Sequence, residues 1–423
     1  MESAVILVFV VGYLCITLED FIHVNKSAIA LATGVICWTL YILSGHHPVP
    51  EVEGHLLHHL SEIAGILFFL IGAMTIVELI DAHAGFRVIT DVIKINDKRT
   101  LLWIIGVLTF FMSAILDNLT TAIVMASIAR KLFTDWDDRK IIGGMIVIAA
   151  NAGGAWSPMG DVTTTMLWVG NQITPLGVVK EVILPSLVAF GVPMLIFTYM
   201  LKGKVSTEVL DQEEQLFAIK GTRRVFFLGL FCMLMVPVFK IVTHLPPFMG
   251  MLFGLGLLWI FNGILHKDDS EEVKTHLTVS HVLKMIDTPS ILFFLGILLS
   301  VGCLGSMGIL GELANMMNNT FGNMDVILVA VGFISSILDN VPIVAALQNM
   351  YTIQEYPTGS HMWNFLAYTA GTGGSMLIIG SAAGVAIMGS MKLEFFWYLK
   401  KVSLPALLGY LAGAGVYLVL ANI

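Results

Sequence analysis

Charge is what this sequence has least of: Asp, Glu, Lys and Arg together make up 12% of its 423 residues, while 57% are hydrophobic. The mean hydropathy is +0.87. So small a charged fraction excludes an ordinary soluble domain, makes nucleic acid an unsuitable partner and leaves a polytopic membrane protein. The net charge of -8 adds little, because the acids lie mostly in loops. Cysteine is scarce too. Cys15, Cys37, Cys232 and Cys303 are scattered through apolar segments with no Cys-x-x-Cys spacing, which argues against a disulfide framework and a zinc site. The N-terminus, Met-Glu-Ser followed by an apolar run to Leu18, lacks a basic n-region and a small-residue cleavage site, so a retained helix is expected there.

Against that apolar background stands an Asp-Asn pair, and it occurs twice. Ser113-Ala-Ile-Leu-Asp-Asn-Leu-Thr-Thr121 and Ser335-Ser-Ile-Leu-Asp-Asn-Val-Pro-Ile343 set Asp117 and Asp339 in matching frames. An Asp at the centre of a spanning helix costs roughly 2.5 to 3.5 kcal/mol on insertion scales, and such groups usually mark an ion or substrate path. Polar tips can also serve only to satisfy unwound backbone; duplication and depth favour function.

Apolar segments at 3–18, 26–44 and 61–80 are long enough to span a bilayer. The unit 101–133, as one helix, would run to about 50 Å and overshoot. Folded back at Asp117 it fits, as a re-entrant hairpin whose tip is tolerable only against protein or a water-filled cavity. Arg87, Lys94, Lys98 and Arg99 precede it and Arg130, Lys131, Arg139 and Lys140 follow it, so both ends are expected on the cytoplasmic side. The chain then crosses in a helix broken by glycines and Pro158 (141–170), spans again at 178–201, and reaches a hydrophilic linker, 202–224, carrying Lys202, Lys204, Lys220, Arg223 and Arg224.

The second half, 225–423, repeats the plan of the first, 1–201. Spans are expected at 225–243, 248–265 and 289–305, a hairpin at 325–351, a broken helix at 362–390 and a last span at 402–421. Ile66-Leu-Phe-Phe-Leu70 echoes Ile291-Leu-Phe-Phe-Leu295, and Gly153-Gly154 with Gly160 echoes Gly373-Gly374 with Gly380. Five crossings per half is an odd number, so the halves are expected to be inserted upside down relative to one another, as inverted-topology repeats. Lys and Arg are missing from 306–324 and 351–361, which flank the second hairpin and put its ends outside. In this all-α plan both termini lie outside, and every basic residue except Lys180 and Lys240 faces the cytoplasm.

Two hairpin tips and two broken helices meeting near the midplane are where transporters build their sites. Asp117, Asn118, Thr120, Thr121, Asn151, Ser157, Asp161 and Thr163 to Thr165 line the first half, and Asp339, Asn340, Thr372, Ser375 and Ser381 the second. Gly153, Gly154, Gly373 and Gly374 shape it, or serve only close helix packing. Three carboxylates among neutral oxygens, with no Lys or Arg, favour a hard cation: sodium, lithium or a proton.

The segments Asp-Asn-Leu-Thr-Thr (117–121), Asn-Ala-Gly-Gly-Ala-Trp-Ser-Pro-Met-Gly-Asp-Val-Thr-Thr-Thr-Met-Leu-Trp (151–168) and Gly-Thr-Gly-Gly-Ser-Met-Leu-Ile-Ile-Gly-Ser (371–381) resemble NhaD-type sodium/proton antiporters. The likeness covers nearly the whole chain. More distantly, the plan resembles the ion transporter superfamily, including sodium-coupled dicarboxylate carriers, whose tips read Ser-Asn-Thr. Asp117 and Asp339 stand at the serine position, where a carboxylate would repel a dicarboxylate. The resemblance implies a homodimer with a fixed scaffold and a moving transport domain, an elevator. It departs at Val341-Pro342, which replaces Leu119-Thr120, so the two tips are not chemically equivalent.

Desolvation favours the neutral form of a buried acid, which can hold a proton until a cation displaces it. Asp117 and Asp339 are assigned to this exchange with Asp161 as a third candidate. Sodium is expected at Asp117, Asn118, Asn151, Asp339 and Asn340, with Ser157 and Thr372 as further neutral ligands, and no cofactor beyond the transported Na+ or Li+ and H+. Asp161 equally suits an N-cap for 161–170. His46, His47, His55, His58 and His59 read as solvated loop residues rather than a pH sensor or metal site, and His83 beside Asp81 as a similar case. Glu78 and Glu312 read as snorkelling groups at span ends. The sequence points to a multi-pass protein of a bacterial inner membrane, exchanging sodium for protons. A sodium-coupled symporter of a small organic acid is the alternative; an aspartic-protease dyad and a channel fit less well.

Overall fold

In the computed structural model, residues 2–17, 19–45, 47–86, 88, 95–133, 135–205, 220–269 and 277–422 are described. His46, Arg87, Lys94 and the 206–219 part of the expected linker lie outside them. The described residues are nearly all helical, and eight helices are long and apolar enough to cross a membrane. The protein is a multi-pass membrane protein.

The first half runs α1 (Glu2–Thr17), α2 (Lys26–Leu43), α3 (Val49–Ala82), α4 (Lys98–Leu116), α5 (Asn118–Leu132), α6 (Trp136–Ala155), α7 (Val162–Val169) and α8 (Pro175–Met200). The second runs α9 (Thr222–Thr243), α10 (Pro247–Leu265), α11 (Thr288–Ser306), α12 (Ile309–Phe321), α13 (Met324–Ser335), α14 (Asn340–Met350), α15 (His361–Gly373), α16 (Ala382–Met391), α17 (Phe395–Lys401) and α18 (Ser403–Ala421).

The interruptions fall where the sequence puts them. Between α4 and α5 stands a single residue, Asp117, with φ 88°. A non-glycine residue there costs on the order of 1–3 kcal/mol, offset by the hydrogen bonds its carboxylate makes to the start of α5. α4 and α5 contact each other across this residue. The α6–α7 break follows Trp156-Ser-Pro-Met-Gly160, where proline cannot continue the ladder.

Packing runs in matching pairs. α6 lies on α4 as α15 lies on α13, and α2 lies on α11 as α10 lies on α3; α8 packs on α18. The α2–α11 contact is fastened by Ser27 Oγ donating to the Pro289 carbonyl (2.6 Å) and Trp38 Nε1 donating to that of Leu299 (2.9 Å).

Two expectations need correction. The third span is a single 34-residue helix, not 61–80. At 1.5 Å per residue it extends about 20 Å beyond a hydrocarbon layer of roughly 30 Å, so His55, His58 and His59 are helical, not in a loop. His58 is exposed, but His59 is held by Ser306 Oγ through Nε2 (3.0 Å). His83 is not solvated either: it is fully buried. A further helix, α12, fills the lysine-free flank of the second tip and buries Leu310 and Ala314.

Candidate functional site

The site is assembled from the two breaks and the two tips. In each half a serine four residues before the Asp ties tip to broken helix. Ser113 Oγ donates to the Ala150 carbonyl (2.5 Å) and Ser335 Oγ to that of Ala370 (2.9 Å). Ser157 Oγ adds a bond to the Ala114 carbonyl. Glycines then let backbones meet. A Cβ on Gly153 would collide with the Phe110 carbonyl, and one on Gly373 with that of Gly332; Gly154 and Gly374 meet Gly160 and Gly380 in the same way.

At the centre is Asp161, 1% exposed. Its carboxylate caps α7, accepting from Thr163 N–H (2.8 Å) and Thr163 Oγ (2.8 Å). It also accepts from the first tip through Asn118 Nδ2 (2.6 Å) and from the second through Asn340 Nδ2 (3.3 Å). The orientation of Asn118 is fixed, because its Oδ1 takes the Leu119 N–H (2.8 Å). Asn118 Nδ2 also reaches Asn151 Oδ1 (3.1 Å), whose own Nδ2 donates to Ser375 Oγ (3.0 Å) and Ser381 Oγ (2.8 Å). Ser381 caps α16 as Asp161 caps α7. One buried network therefore joins both tips and both breaks.

Asp117 and Asp339 sit at its edge. Each caps the helix that follows it: Asp117 takes Thr120 N–H (2.7 Å) and Thr120 Oγ (2.9 Å), and Asp339 takes Val341 N–H (3.2 Å). Both are within electrostatic reach of Asp161. The Thr121 hydroxyl is buried without a hydrogen-bond partner. Thr372 donates to the Tyr368 carbonyl of its own helix (2.6 Å), so its proton is spent within α15. Asp117 and Asp161 line a cavity closed on the other side by Met74 of α3, Met233 of α9 and Met251 of α10.

Some contributors were not singled out from sequence. Ser113 and Ser335 were detectable, since both copies of the motif carry a serine at the same place. Lys240 was not: its Nζ donates to the Trp168 carbonyl (3.2 Å) and Asn171 Oδ1 (3.1 Å), placing a cation at the C-terminal end of α7. Nor was Gln348, which reaches from α14 to the Met166 carbonyl of α7 (3.2 Å).

Residues 13–363 match the family described as "Citrate transporter" (CitMHS). The chain is 48% identical over 426 residues to "Sodium/proton antiporter 1" of Arabidopsis thaliana, covering 100% of this chain and 73% of that protein. It is 43% identical to "Sodium/proton antiporter 2" of the same plant, over 98% of this chain and 99% of the relative. To "Na(+)/H(+) antiporter NhaD" of Vibrio cholerae it is 33% identical, over 99% and 91%. These relatives are transporters, not enzymes, and the protease reading falls away. Matched along most of its length by a carrier family and across its whole length by antiporters, the chain belongs to the CitMHS family and, within it, to the NhaD-type sodium/proton antiporters.

Proposed function

We propose that the protein exchanges sodium or lithium for protons by alternating access, with cation and proton competing for the carboxylates around Asp161. The observation that carries this reading is the convergence on one fully buried carboxylate of an amide from each hairpin tip. A cation taking those carboxylate oxygens must displace Asn118 and Asn340 from them, so occupancy acts on both tips at once. The oxygens of Asn151, Ser375 and Ser381 lie in the same network, and Asp117 and Asp339 supply further negative charge. The set suits a hard monovalent cation, and the sodium/proton antiporter names of the full-length relatives point the same way.

The paired packing of corresponding elements supports two inverted repeats, 1–201 and 225–423, with re-entrant hairpins at α4–α5 and α13–α14. The hairpins and broken helices, with α8 and α18, form the body proposed to move as an elevator. α1 to α3 and α9 to α11 form the scaffold proposed to dimerise. Both termini are assigned to the outer side by the distribution of Lys and Arg. The host membrane proposed from the sequence is a bacterial inner membrane, and the plant origin of two relatives widens that to any proton-energised membrane.

The competing reading, a sodium-coupled carrier of a small organic acid, is favoured by the description of the matching family. Proteoliposomes carrying a pH dye distinguish the two. Proton efflux on adding sodium or lithium, with no uptake of labelled citrate, is expected; citrate uptake with sodium and no proton movement would overturn the proposal.

The two tips are not expected to contribute equally. Asn118 meets Asp161 at 2.6 Å and also holds Asn151, whereas Asn340 approaches at 3.3 Å. Asn118→Ala should lower the half-saturating sodium concentration about tenfold, because the cation no longer has to break a charged hydrogen bond worth about 1.5 kcal/mol or more. Asn340→Ala should lower it by less, and the reverse ranking would contradict this site geometry.

A further inference from the structure

The C-termini of α3 and α10 are joined by a buried pair of histidines that the exchange site does not use. His83, fully buried, points Nδ1 at the Leu79 carbonyl (2.8 Å) and Nε2 at His266 Nε2 (2.9 Å). His266, 4% exposed, points Nδ1 at Asp269 Oδ2 (2.6 Å), and Lys220 Nζ reaches the other carboxylate oxygen (3.2 Å).

Counting protons along this chain leaves one total. A carbonyl accepts only, so His83 Nδ1 carries a hydrogen. Two nitrogens 2.9 Å apart need one hydrogen between them, which one ring or the other supplies. The bond to Asp269 needs another. Whether that hydrogen is drawn on the ring or on the carboxylate, the set His83, His266 and Asp269 holds one proton more than two neutral imidazoles and a carboxylate. The hydrogen bonds from His266 and Lys220 hold Asp269 below the usual carboxylate range, which keeps that proton on the imidazole side. Take the proton away and two lone pairs face each other; add a second and two N–H groups collide. The contact exists for a single proton count.

We propose that His83 and His266 form a proton-held latch between the two halves of the protein, closed at one protonation state and opened by its loss. The latch bears on the exchange path because α3 also carries Met74 and α10 also carries Met251, which line the cavity beside Asp117 and Asp161. Met74 is about 13 Å along α3 from His83. Loss of the proton as pH rises frees the ends of two helices that wall this cavity. The ionisable groups that neighbouring elements bring to this end are Glu78 and Asp81 on α3, Arg223 and Arg224 on α9, Lys267 and Asp268 after α10, and His281 on the short helix Val279–Val282 packed against α3.

His83→Gln separates the latch from its proton, since an amide N–H can donate to a neutral His266 Nε2 with no extra proton required; His83→Ala removes the contact altogether. Thermal unfolding of the purified protein is followed across a pH series from mildly acidic to alkaline, independently of any transport assay. Relative to His83→Gln, the wild type should lose stability as pH rises through the titration of the shared proton, and His83→Ala should lie below both in the acidic range. In proteoliposomes given a sodium gradient, His83→Gln should shift the pH dependence of activity by about one pH unit. Parallel unfolding profiles for wild type and His83→Gln would overturn the latch, whatever the transported ion proves to be.

Discussion

Asp161→Asn is expected to abolish sodium-driven proton movement, with a loss of at least about a hundredfold, while leaving the protein folded. The amide oxygen can still accept the Thr163 N–H that caps α7, so the local helix start survives. What disappears is the charge. In a site 1% exposed to solvent, an alkali cation without a carboxylate loses a charged contact worth about 3 kcal/mol, which is two decades of affinity. The proton loses its acceptor in the same change, so both limbs of the exchange fail together. Asp117→Asn should weaken exchange by only about tenfold, because the Asp117 carboxylate is engaged by its own helix start through Thr120. Proton flux and size-exclusion behaviour of the reconstituted variants check both statements; flux from Asp161→Asn within a few-fold of wild type would remove Asp161 from the exchange.

The ordering of those two variants differs from what the sequence suggests, and the reason is geometric. A repeated Asp-Asn pair in hydrocarbon singles out Asp117 and Asp339 as the costly residues. It could not tell which way each carboxylate turns. At both tips the aspartate bends back to cap the following helix, and its neighbour, Asn118 or Asn340, reaches the centre instead. The cap role foreseen for Asp161 is present, yet it does not compete with the site: one carboxylate starts α7 and receives both tips.

The apolar helices, the breaks and the pairing of Gly153-Gly154 with Gly373-Gly374 were legible because hydropathy, glycine and proline act locally, whereas the full length of the third helix was not. His83 was not. Its partner is 183 residues away, on the other half of the chain, and nothing in the pattern around Asp81 distinguishes a solvated histidine from one buried against a second ring. The same holds for His59, whose partner Ser306 is 247 residues distant.

Gly153→Ala should be among the most damaging small substitutions in the protein. The added methyl would fall on the carbonyl, Cα and carbonyl carbon of Phe110, all backbone of α4, with no side chain free to swing aside. Overpacking of this kind costs typically 1–3 kcal/mol, and here relief requires α6 to move off α4. Asn151 lies two residues before the clash, so the same movement draws it from Asn118, Ser375 and Ser381. Exchange should therefore be lost along with thermal stability. Gly373→Ala repeats the experiment in the other half, against the Gly332 backbone. Gly191→Ala, where a Cβ meets nothing within 4 Å, should be neutral or slightly stabilising. Melting temperatures and flux of the three variants decide the matter: a silent Gly373→Ala beside a damaging Gly153→Ala would mean that the two halves share a sequence pattern without sharing its packing.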